Sequence, residues 1–316
     1  MTMPNPYLRS DVSSWRIVDA EPLGTDEKAW LEDHFGNRWL FKPAEIKRNT
    51  TRQGQDWAEK IAAEIATLLA LPHAHVELVV RDGAEGSVSL RIGSDDLVLR
   101  EGTLLLIDRH APGYVPIFEL AKGAPRKRRP GHSLENIHAA LRHVAAPSGC
   151  SLPGDLSAFD IFVGYLILDA WIANRDRHDQ NWAVLEPQLG EGPRLLCPTY
   201  DHGNSLGYGL SDTDRFERIS SSERMAQFAE RGTAFRLENA GPGTIPTLVT
   251  VAVSALLMAS PEGRAHWSEV IQGLPVSPAQ DIVRRVPGLS VPARTFAARL
   301  LEINAERLSH ECNSRL

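Results

Sequence analysis

The sequence predicts an α+β fold with two lobes, a strand-rich first part and a helical second part. Short apolar segments separated by turn residues fill most of the first hundred residues, where one longer stretch has helical periodicity. From about residue 157 the apolar residues instead form long helical stretches. An Ala-Pro-Gly break at 111–113 separates the two patterns. We therefore place the lobes at residues 1–112 and 113–316.

Six short segments of the first lobe have the apolar content and the flanking turn residues of strands. They are 15–20, 29–32, 38–42, 76–80, 87–92 and 104–107. Gly36 offers a hairpin turn between the second and the third segment, and Asp82-Gly83 separates the fourth from the fifth. The first lobe should therefore be built on a sheet.

One helix is predicted in this lobe, from about 56 to 71. Trp57, Ile61, Ile65 and Leu68 repeat at spacings of four and three residues, which is the period of one helical face. Pro72 should end the helix, because the residue before a proline is disfavoured in helical conformation.

The second lobe is predicted to be mainly helical, around one apolar helix over 158–173. A short hairpin is predicted between 182–185 and 194–197, with glycines in the connection. Further helical stretches are 248–258, 266–273, 279–285 and 293–309.

Composition excludes several classes of protein. The 316 residues are 42% hydrophobic and 23% charged, which is typical of a globular chain and not of a disordered one. A net charge of −6 argues against direct nucleic-acid binding, which needs a basic face. Three scattered cysteines (Cys150, Cys197 and Cys312) indicate neither a disulfide framework nor a zinc site.

We expect a cytoplasmic protein without a membrane segment. The N-terminal residues lack the apolar core of a secretory signal. The longest apolar run, 161–173, is interrupted by Asp169 and is too short to span a bilayer. A basic segment, 122–130, is interpreted as a solvated loop, with contact to an acidic partner or a nucleic-acid backbone as the alternative.

The chemistry is concentrated after the apolar helix, in the segment 174–181. Asp176 and Asn181 lie at opposite ends of this loop, and Asp201 follows the next apolar strand in an Asp-His-Gly turn. Two oxygen ligands and a further carboxylate suit Mg²⁺, which binds few protein oxygens and retains its bonds to phosphates. The spare carboxylate can orient a hydroxyl or accept its proton. The pattern therefore indicates phosphoryl transfer.

The first lobe offers complementary residues. Lys42 ends an apolar strand, where an ATP phosphate or a helical glutamate would explain a lysine. Glu59 and Glu64 of the following helix are the candidate glutamates, and periodicity does not choose between them. The turn 23–28, with Gly24 and Thr25, could direct backbone N–H groups at phosphate oxygens.

Asp-Arg-His-x-x-Asn followed by Asp-His-Gly resembles the catalytic and metal-binding loops of the HipA-like toxin kinases and, more distantly, of the phosphatidylinositol kinases. The segment 57–72 is also similar to the early helix of that superfamily. The resemblance covers roughly residues 22–205. It implies a protein-kinase-like fold, the use of ATP and Mg²⁺, and transfer of the γ-phosphoryl group to Ser or Thr of a protein substrate.

The resemblance also assigns roles. Asp176 matches the catalytic aspartate, and Asn181 and Asp201 match the metal ligands. The nucleotide-binding positions that it implies are Gly24, Thr25, Lys42 and Glu59, the last matching better than Glu64. It raises a toxin role with an antitoxin partner. We expect the chain to lack the additional N-terminal subdomain of full-length HipA-type toxins, which bears on how an antitoxin would dock.

Three alternatives are kept. A phosphatidylinositol or small-molecule kinase would share the site. An inactive kinase fold would bind Mg·ATP without turnover. A metal-dependent phosphohydrolase would use a cluster of Asp and His side chains as ligands, namely Asp176, His178, Asp201 and His202. The last alternative leaves Lys42 unexplained.

Overall fold

The predicted two-lobed α+β fold is confirmed by the computed structural model. The structure describes residues 5–21, 28–47, 51–120, 129–189, 192–238 and 245–316. Strands dominate up to residue 101 and helices dominate after it. Gly24 and Thr25, and residues 122–128 of the basic segment, lie outside the described residues.

Among the described residues, six strands of the first lobe form one sheet in the order β1-β5-β6-β4-β3-β2. Their bounds are β1 Arg9–Asp11, β2 Arg16–Glu21, β3 Lys28–Glu32, β4 Arg38–Pro43, β5 Val76–Arg81 and β6 Ala84–Leu90. The neighbours pair antiparallel except β1, which runs parallel to β5. Five of the six predicted strands are thereby confirmed, and β1 is an addition that the sequence pattern did not indicate.

Helix α1 (Gln55–Leu68) packs on β5 and β6 with one side and on the helical lobe with the other. Burial from both sides explains why even Glu59 and Lys60, on the polar side of its periodicity, are buried. The helix ends before the expected position at Pro72. Ala70 adopts a left-handed φ of 54°, which breaks the helical hydrogen bonding two residues earlier.

A second sheet joins the two parts of the chain. Strand β7 (Leu97–Glu101) pairs antiparallel with β8 (Ala183–Pro187), which pairs with β9 (Leu195–Leu196). The predicted hairpin is confirmed as β8 and β9, whereas β7 was not predicted. The lobe boundary at residue 112 stays a prediction.

The expectation of a strand over 104–107 was wrong, because these residues lie in helix α2 (Gly102–Asp108). A run of four aliphatic residues fits either structure. Leu105 and Leu106 are buried while Leu104 and Ile107 are exposed, a spacing of three that is helical.

Helix α4 (Ala158–Ile172) is the centre of the second lobe, and all fifteen of its residues are buried. Ser157 and Asp160 form a capping box at its start, and Ala173 ends it at a left-handed φ of 56°. Gly164 is required for packing, since a Cβ there would lie 2.3 Å from the Trp267 ring. The helix therefore delivers the loop that follows it from a rigid base.

Further helices are α3 Leu134–Leu141, α5 Asp212–Ile219, α6 Ser222–Glu230, α7 Leu248–Met258, α8 Pro261–Gln272, α9 Val276–Arg285 and α10 Val291–Arg315, with a 3₁₀ turn at Ile117–Glu119. Helices α3, α7, α8 and α10 pack on α4, and α5, α6 and α9 pack on α10. The four predicted stretches after residue 248 correspond to α7 to α10. Helices α3, α5 and α6 were missed because they are short and partly polar.

One hydrophobic core runs from α1 through α4 to α7 and α10, so residues of both predicted lobes share it. Within the described ranges, no helix is both long enough and apolar enough to cross a bilayer.

Candidate active site

Two neighbouring cavities lie where the first sheet meets the helical part, and Lys42 and Asp201 line both of them. A polar cavity of about 360 Å³ is lined by Lys28, Lys42, Pro43, Glu45, Lys47, Gln53, Gln55, Glu59, Ser87, Asp176, His178, Asp201, Gly203, Asn204 and Tyr208. An apolar cavity of about 500 Å³ has in its lining Trp30, Leu40, Ala74, Leu90, Ile92, Leu97, Val98, Leu99 and Tyr200. A ligand with a flat apolar part and a charged part would fill both.

Lys42 and Asp201 form an ion pair between the two cavities. The Lys42 Nζ is 2.7 Å from the Asp201 Oδ1. Burial alone would raise the pKa of the Asp201 carboxyl, but the Lys42 ammonium lowers it far below its ordinary value. Asp201 is therefore an anion at neutral pH, and a third of its side chain is open to the cavities.

Helix α1 brings Glu59 to the same cavity. Its Oε1 lies 3.6 Å from the Nδ1 of His202, and both side chains are buried. Burial would raise the pKa of Glu59, but the His202 ring and then the Lys42 ammonium lower it below its ordinary value. Gly203 permits this approach, since a Cβ there would lie 3.2 Å from the Gln55 backbone and 3.3 Å from the Glu59 carboxylate.

Glu64 has a different environment. It pairs with Lys60 at 2.8 Å and accepts a hydrogen bond from the Tyr7 hydroxyl at 3.2 Å. The geometry therefore brings Glu59, and not Glu64, to the cavity of Lys42.

Asp176 lines the polar cavity with both carboxylate oxygens engaged. Its Oδ1 accepts a hydrogen bond from the Arg236 Nε at 2.7 Å, and its Oδ2 accepts one from the Asn204 amide at 2.7 Å. Its backbone carbonyl accepts from the Asn181 amide at 2.9 Å. Two donors from other segments thus orient the carboxylate.

A buried network fixes the loop behind Asp176. The Arg177 guanidinium donates to both carboxylate oxygens of Asp169, at 2.7 and 2.9 Å, and also to the Asn181 carbonyl. It reaches the Thr199 hydroxyl at 3.0 Å and the His202 Nε2 at 3.1 Å. Because a guanidinium only donates, this His202 nitrogen accepts, and the ring proton lies on the Nδ1 that faces Glu59.

A second buried set of hydrogen bonds holds the backbone of Arg236. The Trp182 indole N–H donates to the His132 Nε2 at 3.0 Å, and the His132 Nδ1 donates to the Arg236 carbonyl at 2.9 Å. His132 is fully buried, and burial lowers its pKa to about 4. Burial also lowers the pKa of His178, which leaves this cavity-lining ring mostly neutral at pH 7.

The structure therefore gathers most of the residues that the sequence singled out. The polar cavity is shared by Lys42, Glu59, Asp176 and Asp201. Asn181 joins them through the Asp176 carbonyl and is itself buried. Since its amide nitrogen is used there, the amide oxygen is the atom that could face a cation.

Sequence reasoning missed the partners of these residues. Arg236 and Asn204 hold Asp176, and Arg177 with Asp169 holds the loop. Asp169 did carry a signal, since it is the single charge within the apolar run 161–173.

One of the four ligands of the phosphohydrolase alternative, His202, is engaged by other residues. His202 uses Nε2 on Thr199 and Arg177, and its Nδ1 faces Glu59. In the part of the chain that the structure describes, no three His, Cys, Asp or Glu side chains converge as a metal site. A cation here would instead take one or two protein oxygens, from Asp201 and Asn181, which suits Mg²⁺ bound with phosphates.

No protein-family model and no curated protein sequence matches this chain. Its fold does match solved structures. The proinflammatory kinase CtkA of Helicobacter pylori aligns with a TM-score of 0.67 at 15% identity, over 97% of this chain and 99% of that chain. HipA of Shewanella oneidensis MR-1, in a complex with HipB and operator DNA, aligns with a TM-score of 0.51 at 13% identity, over 96% and 70%. The chain therefore has the protein-kinase-like fold that its HipA-like motifs predicted.

Proposed function

We propose that this protein is an ATP- and Mg²⁺-dependent kinase that transfers the γ-phosphoryl group of ATP to a Ser or Thr hydroxyl of a protein. The observation that carries the proposal is the Lys42–Asp201 pair, 2.7 Å long, at the junction of an apolar cavity and a polar cavity that also contains Asp176. A cation and two carboxylates at such a junction are the charges that phosphoryl transfer requires.

The two cavities suit the two parts of ATP. The adenine ring fits the apolar cavity, where Leu40, Ala74 and Tyr200 offer apolar surface. The phosphates would then extend past Lys42 into the polar cavity, and the Lys42 ammonium would neutralise part of their charge. Gly24 and Thr25 are proposed, from the resemblance alone, as a further phosphate contact.

Asp201 and Asn181 are proposed as the Mg²⁺ ligands. Asp201 is ionised and open to the cavities, and Asn181 has an amide oxygen to offer. When bound, Mg²⁺ would supply charge neutralisation at the phosphate oxygens.

Asp176 is proposed to position the acceptor hydroxyl and to take its proton as the oxygen–phosphorus bond forms. The hydrogen bonds from Asn204 and Arg236 fix the direction of the carboxylate, so the hydroxyl would meet an oriented acceptor. Glu59 is proposed to attract the Lys42 ammonium electrostatically and so to help keep it at the polar cavity.

The antitoxin partner is also a proposal. HipA in the matched structure belongs to a toxin–antitoxin system and is bound to HipB and DNA. We propose by analogy a toxin-like kinase that an antitoxin partner controls, working in the cytoplasm and without direct nucleic-acid contact of its own.

The decisive experiment is the variant Asp176→Asn. We expect Mg·ATP affinity, measured by calorimetry, to stay within about twofold, while transfer to protein acceptors falls roughly a hundredfold or more. Asparagine retains the shape of the side chain but cannot take the proton. The matched control is Asp155→Asn, an exposed aspartate that lines neither cavity, which should transfer normally.

The result separates the alternatives. An inactive binding module would bind Mg·ATP and show no transfer in either form. A phosphatidylinositol or small-molecule kinase would phosphorylate those acceptors and leave proteins unmodified. A fall in affinity as large as the fall in rate would remove Asp176 from the proposed role.

A further inference from the structure

A pair of arginines stands beside Asp176 on the acceptor side of the candidate site. Arg175 and Arg236 each place their guanidinium carbon 5.0 Å from the centroid of the Phe235 ring. Arg236 also contacts Asp176 through Nε, at 2.7 Å. The stack of Arg175, Phe235 and Arg236, which we call the arginine stack, thus reaches directly to the carboxylate proposed to hold the acceptor.

The hydrogen-bonding capacity of the arginine stack is only partly used by the protein. Among the described residues, Arg236 uses Nε on Asp176, which leaves both of its terminal nitrogens for another group. Arg175 donates from Nε and one terminal nitrogen to the carbonyl and hydroxyl of Thr233, both uncharged.

Arg175 has no anionic partner in the described part of the chain, and burial is the cause that lowers its pKa. Arg175 is also exposed, so a carboxylate of a bound molecule can approach its guanidinium from solvent and form the missing ion pair.

We infer that the arginine stack selects acceptors in which acidic residues flank the phosphorylated Ser or Thr. This inference rests on the proposed kinase function. Residues of an extended peptide rise about 3.3 Å each, so a carboxylate bound by either arginine belongs to a residue within about two positions of the acceptor. The planar guanidinium matches a carboxylate with two parallel hydrogen bonds.

A polypeptide carboxylate fits better than an anionic membrane. Adsorption to a lipid surface needs about four to eight basic residues acting together, whereas the stack contributes two. The net charge of −6 would also oppose a strongly anionic surface. We therefore infer a polypeptide acceptor, and the test must distinguish transfer to a peptide from transfer to a phosphoinositide.

The test uses the full chain and three peptides of equal length, each with one serine flanked on both sides by Glu, Ala or Lys. We expect the wild type to favour the Glu peptide over the Ala peptide about tenfold in kcat/KM. The preference should come from a lower KM for the Glu peptide, with kcat unchanged. Arg175→Ala should lose most of this preference, Arg175→Glu should favour the Lys peptide, and Arg175→Lys should retain a reduced preference for Glu. The preference should shrink as salt is added, because the contact is partly exposed.

The matched control is Arg231→Ala, which removes an exposed arginine outside the stack and should leave the preference intact. Melting temperatures show that each variant is folded. Equal use of the three peptides, or an unchanged preference in Arg175→Ala, overturns this inference and leaves the kinase proposal standing. Transfer to a phosphoinositide and to no peptide, or transfer to nothing, overturns the protein-kinase proposal and this inference with it.

Discussion

Two aspartate–arginine pairs each include one residue of the loop 174–181, and they differ in surroundings. The Asp169–Arg177 pair is 1% and 3% exposed, has two parallel hydrogen bonds and belongs to a buried network. The Asp176–Arg236 pair is 16% and 24% exposed, has one direct hydrogen bond and lies at the polar cavity. The same two residue types therefore form a buried support in one place and part of a cavity wall in the other.

The two pairs should differ in how much folding stability is lost when one partner is removed. A buried charge that loses its partner destabilises the fold by several kcal/mol, because neither water nor another group replaces the partner. A partner at a cavity can be lost with less harm, since water reaches the remaining charge. We therefore expect variants of the buried network to change folding stability, and variants at the cavity to change transfer.

The largest expected effect is at the cavity. Asp201→Ala should lower phosphoryl transfer roughly ten-thousandfold, because Lys42 loses its counter-charge and Mg²⁺ its proposed anionic ligand. Unfolding in urea should show a change in stability of less than about 1 kcal/mol. Measured transfer rates and urea midpoints of the same preparation check both statements. Undiminished transfer in excess chelator would contradict the metal role.

The next effect is on the buried side. Arg177→Ala should destabilise the fold by about 3–5 kcal/mol, since Asp169 would be left as a buried, unpaired carboxylate. The adjacent Arg175→Ala is the matched control, because Arg175 is exposed and, among the described residues, its side chain hydrogen-bonds only to Thr233 and lies over the Phe235 ring. It should change stability by less than about 1 kcal/mol. Equal losses in the two variants would remove the distinction between the pairs.

A pH dependence sharpens the comparison further. The folded-state pKa of His132, about 4, lies below the ordinary value of 6.5. The unfolded chain therefore binds a proton that the folded chain excludes, so the stability contributed by neutral His132 is complete above pH 6.5 and lost as the pH falls toward 4. The expected loss is about 3 kcal/mol.

Because other groups also titrate in this range, the measurement is the difference between wild type and His132→Gln in urea unfolding at pH 7 and pH 4.5. The glutamine oxygen can still accept from Trp182, but the side chain does not titrate. A wild type that follows the same pH curve as the variant would show that His132 is not excluded from protonation.

The sequence could predict the fold and most residues of the site for a physical reason. Asp176 and Asp201 each follow a strongly apolar element, and Lys42 ends another. Where the chain leaves the hydrophobic core at the end of such an element, its first polar residues must lie at the surface beside that end. Residues that follow neighbouring elements therefore lie close together.

The partners could not be found in this way. Arg236 is 60 residues from Asp176, in a segment with no periodic pattern, and nothing local connects the two. The choice between Glu59 and Glu64 depended on which side of α1 faces the helical lobe. Because nearly the whole helix is buried, its pattern of apolar residues does not distinguish the two sides. Helix α2 was misjudged because four consecutive aliphatic residues do not reveal their period until the exposure of each is known.

Gly203 has a consequence for motion. A Cβ at this position would already lie 3.2 Å from the Gln55 backbone, so the Asp-His-Gly turn and the first turn of α1 are in contact without an intervening side chain. The adjacent His202 faces Glu59 of the same helix. The helix therefore cannot move closer to the turn. Any side chain larger than that of glycine at position 203 would press on the first turn of α1, and would displace the Glu59 carboxylate together with it.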